Sequence, residues 1–235
     1  DAKARGAELL LHDNIYKVAD IDWHGGAFNY DQPFVKRAAA GFDAAHIAMT
    51  EVNLGIDSFL YAAPKISLRV RAGNFKERSG LVVRDLRCPF RMDTTSIQLP
   101  SLYLLMPNSE LTGSLRMDMN AFDDAHPGTL NAHMDGYVSK TDLQPLLTSI
   151  PRNIYQAMPG GRLTIQGTLA GNLRSASFRQ LRLAMPGYFD LTGTGWVADM
   201  MAKNKALRSD LRLKGVAQNL GFVQKLLPIS IRKTI

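Results

Sequence analysis

Five histidines, His12, His24, His46, His126 and His133, are the side chains best suited to hold a metal or move a proton. None stands in an H-E-x-x-H or comparable ligand spacing. Asp123-Asp124 followed by His126 can hold a cation, but the same residues make a polar turn between two strands, and the turn is the reading adopted. Asp20 and Asp22 flank Ile21 beside Trp23-His24, which reads as the wet side of a strand. Cys88, the one cysteine, excludes an intrachain disulfide and reads as a small buried hydrophobe rather than a nucleophile. There is no G-x-S-x-G elbow, no Walker loop and no G-x-G-x-x-G after a strand. Glycoside chemistry needs two carboxyl groups about 5–10 Å apart, and no convincing pair shares a strand face. The expectation is a protein that is not an enzyme and needs no cofactor or metal.

The elements that carry these residues are strands. Ile66, Leu68 and Val70 alternate with Ser67, Arg69 and Arg71, a period of two with one dry side and one wet side. Leu111, Gly113, Leu115, Met117 and Met119 alternate with Thr112, Ser114, Arg116 and Asp118. Leu130–Val138, Arg162–Leu169, Ser175–Met185, Phe189–Ala198 and Arg208–Val216 continue the pattern. Pro89 places its strand at an edge or a bulge. His46–Leu54 keeps its apolar residues on one side only with a slip before Val52. Residues 1–41 are the least legible: Ala2–Leu11 has a helical composition, and Lys17–Phe28 reads as a strand and turn around Gly25-Gly26. Thr141–Met158 has helical spacing, with Thr141 or Asp142 as N-cap.

The chain also repeats itself. Met106-Pro107 returns as Met185-Pro186, Leu111-Thr112-Gly113 as Leu191-Thr192-Gly193, Gly136 as Gly215, and Leu146-Leu147 as Leu226-Leu227. The spacing grows by one residue between the first two landmarks, which places an insertion in the turn. A fixed period signals a modular, extended architecture. The predicted organisation is an N-terminal segment (1–41), a first β unit with a terminal helix (42–158) and a second (159–235), forming one continuous elongated module.

Composition fits a folded chain: 235 residues, 46% hydrophobic, 21% charged, net charge +7. The basic residues are scattered singly along strands, as at Arg69, Arg71, Arg84, Arg87 and Arg91, so nucleic acid is not an expected partner. No apolar run reaches the roughly 18 residues of a membrane span. Starting at Asp1 and stopping at Ile235 within a pattern, the sequence reads as a piece of a longer chain. Its apolar strand positions lean toward Leu and Met, pliable side chains that suit varied apolar partners. Alternation alone fits either a closed sandwich core or an open apolar groove.

Several stretches resemble the AsmA-like superfamily, and within it the TamB-type translocation and assembly proteins in the form carried by Bacteroidota. They are Phe42–Ile47 running into Val52–Ser58, Phe75–Leu81 followed by Leu86, and Ile97–Pro100 leading to Leu102. Met106–Ser109 before Leu111, and Asp142-Leu143 before Leu146-Leu147, complete the set. The resemblance implies a mainly β fold, an elongated antiparallel curved sheet shaped like a taco or gutter, with short amphipathic helices between repeats. It implies a periplasmic segment of a parent protein anchored in the inner membrane. Its function would be phospholipid transport between membranes and outer-membrane biogenesis, with acyl chains and an outer-membrane barrel assembly protein as partners. The residues expected to line such a groove are Leu111, Leu115, Met117 and Met119 in the first unit. In the second they are Leu163, Ile165, Leu169, Leu181, Leu183, Met185, Leu191, Leu211 and Leu213. The alternative from another class is a β-sandwich interaction domain that pairs through its strand edges.

Overall fold

The structure is a computed structural model. It describes residues 2–10, 15–43, 45–121, 123, 125–146, 155–156, 158–172, 174–198, 208–219 and 221, with only the backbone considered for 2–10. Almost everything described is strand. In chain order these are β1 (Ala2–Leu10), β2 (Ile15–Asp31), β3 (His46–Ala62), β4 (Lys65–Glu77), β5 (Val82–Val83), β6 (Asp85–Met92) and β7 (Ser96–Leu105). Then come β8 (Glu110–Asp118), β9 (Leu130–Ser139), α1 (Lys140–Leu143), a 3₁₀ turn (Gln144–Leu146), β10 (Arg162–Gly171), β11 (Ser175–Met185), β12 (Phe189–Ala198) and β13 (Arg208–Ala217). All belong to one antiparallel sheet, curved and unclosed, in which spatial order follows chain order from β1 to β13. The short β5 stands aside and pairs with β4. Short connections between sequential strands dictate this meander.

Several expectations are corrected. Ala2–Leu10 is a strand and not a helix. Its Ala, Lys, Arg, Glu and Leu are good helix formers, but the ladder that β2 offers outweighs that preference. Gly25-Gly26 is not a turn. β2 runs through it for 17 residues, and the register with β3 shifts on either side of Gly26. β4 continues to Glu77 and only then reverses, with Glu77 N–H donating to the Leu81 carbonyl at 2.8 Å. The α1 N-cap is Ser139, whose hydroxyl accepts from the Thr141 N–H, two residues ahead of the nearer expected cap. Of the two expected helices, the first is four residues of α-helix plus the 3₁₀ turn where described. Tyr155-Gln156 is helical as well; residues 147–154 and, of the second expected helix at 220–227, all but Gly221 lie outside the described residues.

The slips that strand patterning required are bulges. In β3, Glu51 and Ser58 have positive φ (54° and 57°), and the register with β4 shifts between Thr50 and Asn53 and again between Asp57 and Leu60. Pro89 of β6 and Pro100 of β7 lie across from each other in one irregularity, between the pairs Arg87–Tyr103 and Arg91–Gln98. A proline has no N–H to give a ladder, so two prolines share one break inside the sheet instead of forcing either strand to an edge.

The repeat is structural. β7–β8–β9 recurs as β11–β12–β13: Leu104 pairs with Leu111 as Leu183 pairs with Leu191, and Leu111 pairs with Gly136 as Leu191 pairs with Gly215. The Thr112 hydroxyl donates to the Asp135 carbonyl (3.1 Å), and the Thr192 hydroxyl to the Lys214 carbonyl (3.3 Å). The inserted residue lies in the turn. Four residues separate the paired Leu105 and Glu110, and five separate the paired Ala184 and Asp190.

Candidate apolar face

Residues paired across an antiparallel ladder point to the same side of a sheet. Following the pairs strand by strand therefore draws the rows of that side. One row reads Tyr61, Ile66, Met92, Ile97, Met117, Leu130, then Gly171, Ala176 and Val197. A second reads Leu99, Leu115, Ala132, Leu169, Phe178, Gly195 and Leu211. A third reads Leu104, Leu111, Gly136, Ile165, Leu183, Leu191 and Gly215. Leu181 pairs with Gly193, which pairs with Leu213; Leu163 pairs with Val138; Met185 pairs with Phe189. These positions hold apolar side chains and glycines; the first row runs from β3 to β12, where Val197 meets Ser209 of β13, and the other two run from β7 to β13.

Twelve of the thirteen residues expected on the apolar side thus share one face of the sheet. Met119 does not. β8 ends at Asp118, and Met119 sits in the following turn, 48% exposed, its N–H donating to the Thr95 carbonyl at 2.9 Å. Residue selection from the repeat missed the rest of the rows. Phe178, Ile97, Leu99, Ala132 and the β4–β6 pair Val70–Cys88 extend the same face. The signal was present in the alternation of the neighbouring strands, but only the pairing shows that separate hairpins present one surface.

No second sheet covers this face among the described residues. Its leucines are nevertheless half-buried in β8, β10, β11 and β12, because neighbouring rows cover one another. At the last strand that mutual cover stops, and Leu211 and Leu213 are 43% and 46% exposed. Among the described residues buried apolar side chains are few and lie at strand ends and at bulges: Val52, Val83, Met106, Val138 and Met185 among them.

The opposite side is polar along the same strands. Tyr103, Thr112, Asp135, Gln166, Arg182, Thr192 and Lys214 form one row. Ion pairs lace it: Arg69 to Asp57 through two bonds (2.6 and 3.0 Å), Arg182 to Asp190 through two (3.1 and 2.8 Å), and Arg71 to both Asp20 and Asp22. Arg71 reaches from β4 to β2 across Gly55 of β3, which has no side chain in the way. These carboxylates hold the Arg69, Arg71 and Arg182 guanidinium groups above their ordinary range, and Arg69 and Arg182 in turn depress Asp57 and Asp190.

The chemistry-bearing side chains have structural work. Both ring nitrogens of His46 face oxygens, Asp43 Oδ2 at 2.9 Å and the Gln32 carbonyl at 3.1 Å, so this buried ring ties the β2–β3 loop to its base. Asp43 lies below the usual carboxylate range, chiefly because it accepts from the Ala38 N–H. Asp123 accepts from the Ala125 and His126 N–H groups and forms the turn expected of it. Burial pushes the Cys88 thiol up, away from a reactive thiolate. Among the described residues no three His, Cys, Asp or Glu side chains converge as metal ligands, and no helix is long and apolar enough to cross a membrane. No family model, no curated protein and no solved structure matches the chain.

Proposed function

We propose that this chain is a non-enzymatic segment of a cell-envelope protein whose apolar face holds phospholipid acyl chains in passage between membranes, in the service of outer-membrane assembly. The observation that carries the reading is the continuous apolar face from β3 to β13 with no protein layer over it among the described residues. Such a face removes acyl methylenes from water, each worth about 0.8 kcal/mol, with no directional contact required. Leu and Met side chains adapt to a chain that slides past them. The polar side, laced by arginine–carboxylate pairs, keeps the sheet wetted from behind. The localisation that follows is periplasmic, in a parent chain anchored in the inner membrane and working with an outer-membrane barrel assembly protein. A β-sandwich interaction domain would need a second sheet over the same leucines, and the described residues supply none.

The test is site-specific photo-crosslinking in a Gram-negative host. A photoreactive residue at Ile165, in the middle of the apolar face, is expected to capture phospholipid. The same residue at Thr192, on the polar side, is expected to capture none. Lipid recovered equally from both positions, or from neither, overturns the reading.

A further inference from the structure

β13 closes one side of the sheet, and every one of its residues is exposed. Its place in the repeat says what belongs beside it. β13 stands where β9 stands: Gly215 matches Gly136, Leu213 matches Met134 and Ala217 matches Val138. β9 is covered on its far edge by β10, in a register that sets Leu163 against Val138, Ile165 against Gly136, Gly167 against Met134 and Leu169 against Ala132. The cover shows at two of the matched positions. Val138 is 4% exposed while Ala217 is open, and Tyr137 is half-buried while Val216 is 63% exposed.

We infer that the far edge of β13 docks an antiparallel strand of the β10 type, supplied by a separate partner polypeptide. The repeat fixes its pattern. A bulky apolar residue lies over Gly215, where β12 leaves a side chain no room on β13 itself. A glycine or other small residue lies over Leu213, and a bulky apolar residue over Leu211. On the polar side an oxygen acceptor faces Lys214, as Gln166 faces Asp135 in the first copy. The ladder supplies affinity and the alternating positions supply selectivity, and the docked strand turns an exposed edge into an internal one. The inference holds whatever the apolar face carries.

Hydrogen exchange on the full chain tests it, with a ten-residue peptide of the Arg162–Gly171 sequence added in excess. The control peptide has the same composition with apolar and polar positions exchanged. The expected result is at least tenfold slower exchange at alternate amides of β13 with the first peptide only. Leu213→Glu, an exposed position, is expected to keep the fold by circular dichroism and lose the slowing. Four results overturn the inference: no slowing, equal slowing by both peptides, slowing that survives Leu213→Glu, and protection before any peptide is added. If that prior protection rises with protein concentration the occupant is a second copy, and if it does not the occupant is the chain's own C-terminal segment.

Discussion

Gly136 and Gly215 show how much one atom matters in this sheet. Each has positive φ (147° and 157°), and a Cβ at either would lie 2.1 or 2.0 Å from a backbone oxygen of the preceding strand, that of Glu110 or Asp190. Backbone cannot move aside as a side chain can, so Gly136→Ala is expected to cost about 1–3 kcal/mol. Denaturant titration checks this. Asp93 carries a pH-dependent share of stability. Its carboxylate accepts from the Thr95 hydroxyl and from the Thr95 and Ser96 N–H groups, which bring its pKa down to about 2 from the ordinary 3.8. A depressed acid stabilises the fold above its unfolded value and loses that contribution as pH falls through its folded value. The melting-temperature gap between wild type and Asp93→Asn is therefore expected to be full above about pH 4 and to close toward about pH 2.

At the scale of elements, the junction after β9 is held by a buried carboxylate. Asp142 in α1 accepts from the Asn108 N–H (2.7 Å), the Ser109 hydroxyl (2.8 Å) and the Asn108 side-chain amide (3.1 Å), while the Ser109 hydroxyl accepts from the Ser139 N–H (2.9 Å). This ties the β7–β8 turn to the start of α1. Asp142→Ala orphans buried donors and is expected to cost about 1–3 kcal/mol, with faster hydrogen exchange in both Met106–Ser109 and α1. The second copy has Gly221 at the matching place, so this carboxylate belongs to the first copy alone. Elements also differ in how legible they were beforehand. Strands such as Leu130–Ser139 and Arg162–Gly171 announce themselves by strict alternation and a wet side. β1 is hidden by helix-forming residues, and β2 and β3 are hidden by bulges that break their period into shorter pieces. The membership of the apolar face was readable one strand at a time, but its continuity depends on pairing, which no local window contains.

The whole molecule is close to one-dimensional. Each described strand is held mainly by the strands beside it, with no opposing layer to lock all of them at once. Stability then behaves as a sum of neighbour terms, and opening proceeds from the ends. Amide exchange is expected to be slowest in β4–β9, bounded by pairs on both sides, and progressively faster toward β13. Uniform protection throughout, with a single sharp denaturant transition, would contradict this organisation. Long bulged strands at one end, β2 to β4, give way to strands of about ten residues at the other, so the two ends are not equivalent in width.

The turn that accommodates one extra residue between Ala184 and Asp190, without disturbing the pairs on either side, has a consequence for how such a protein changes over generations. From β7 to its counterpart β11 the sheet advances four steps of about 4.8 Å, roughly 19 Å for each duplicated block. Gene duplication can therefore lengthen the molecule in whole increments while every new side chain inherits a neighbour it already fits. Reach becomes a matter of copy number, adjustable without redesigning a single contact.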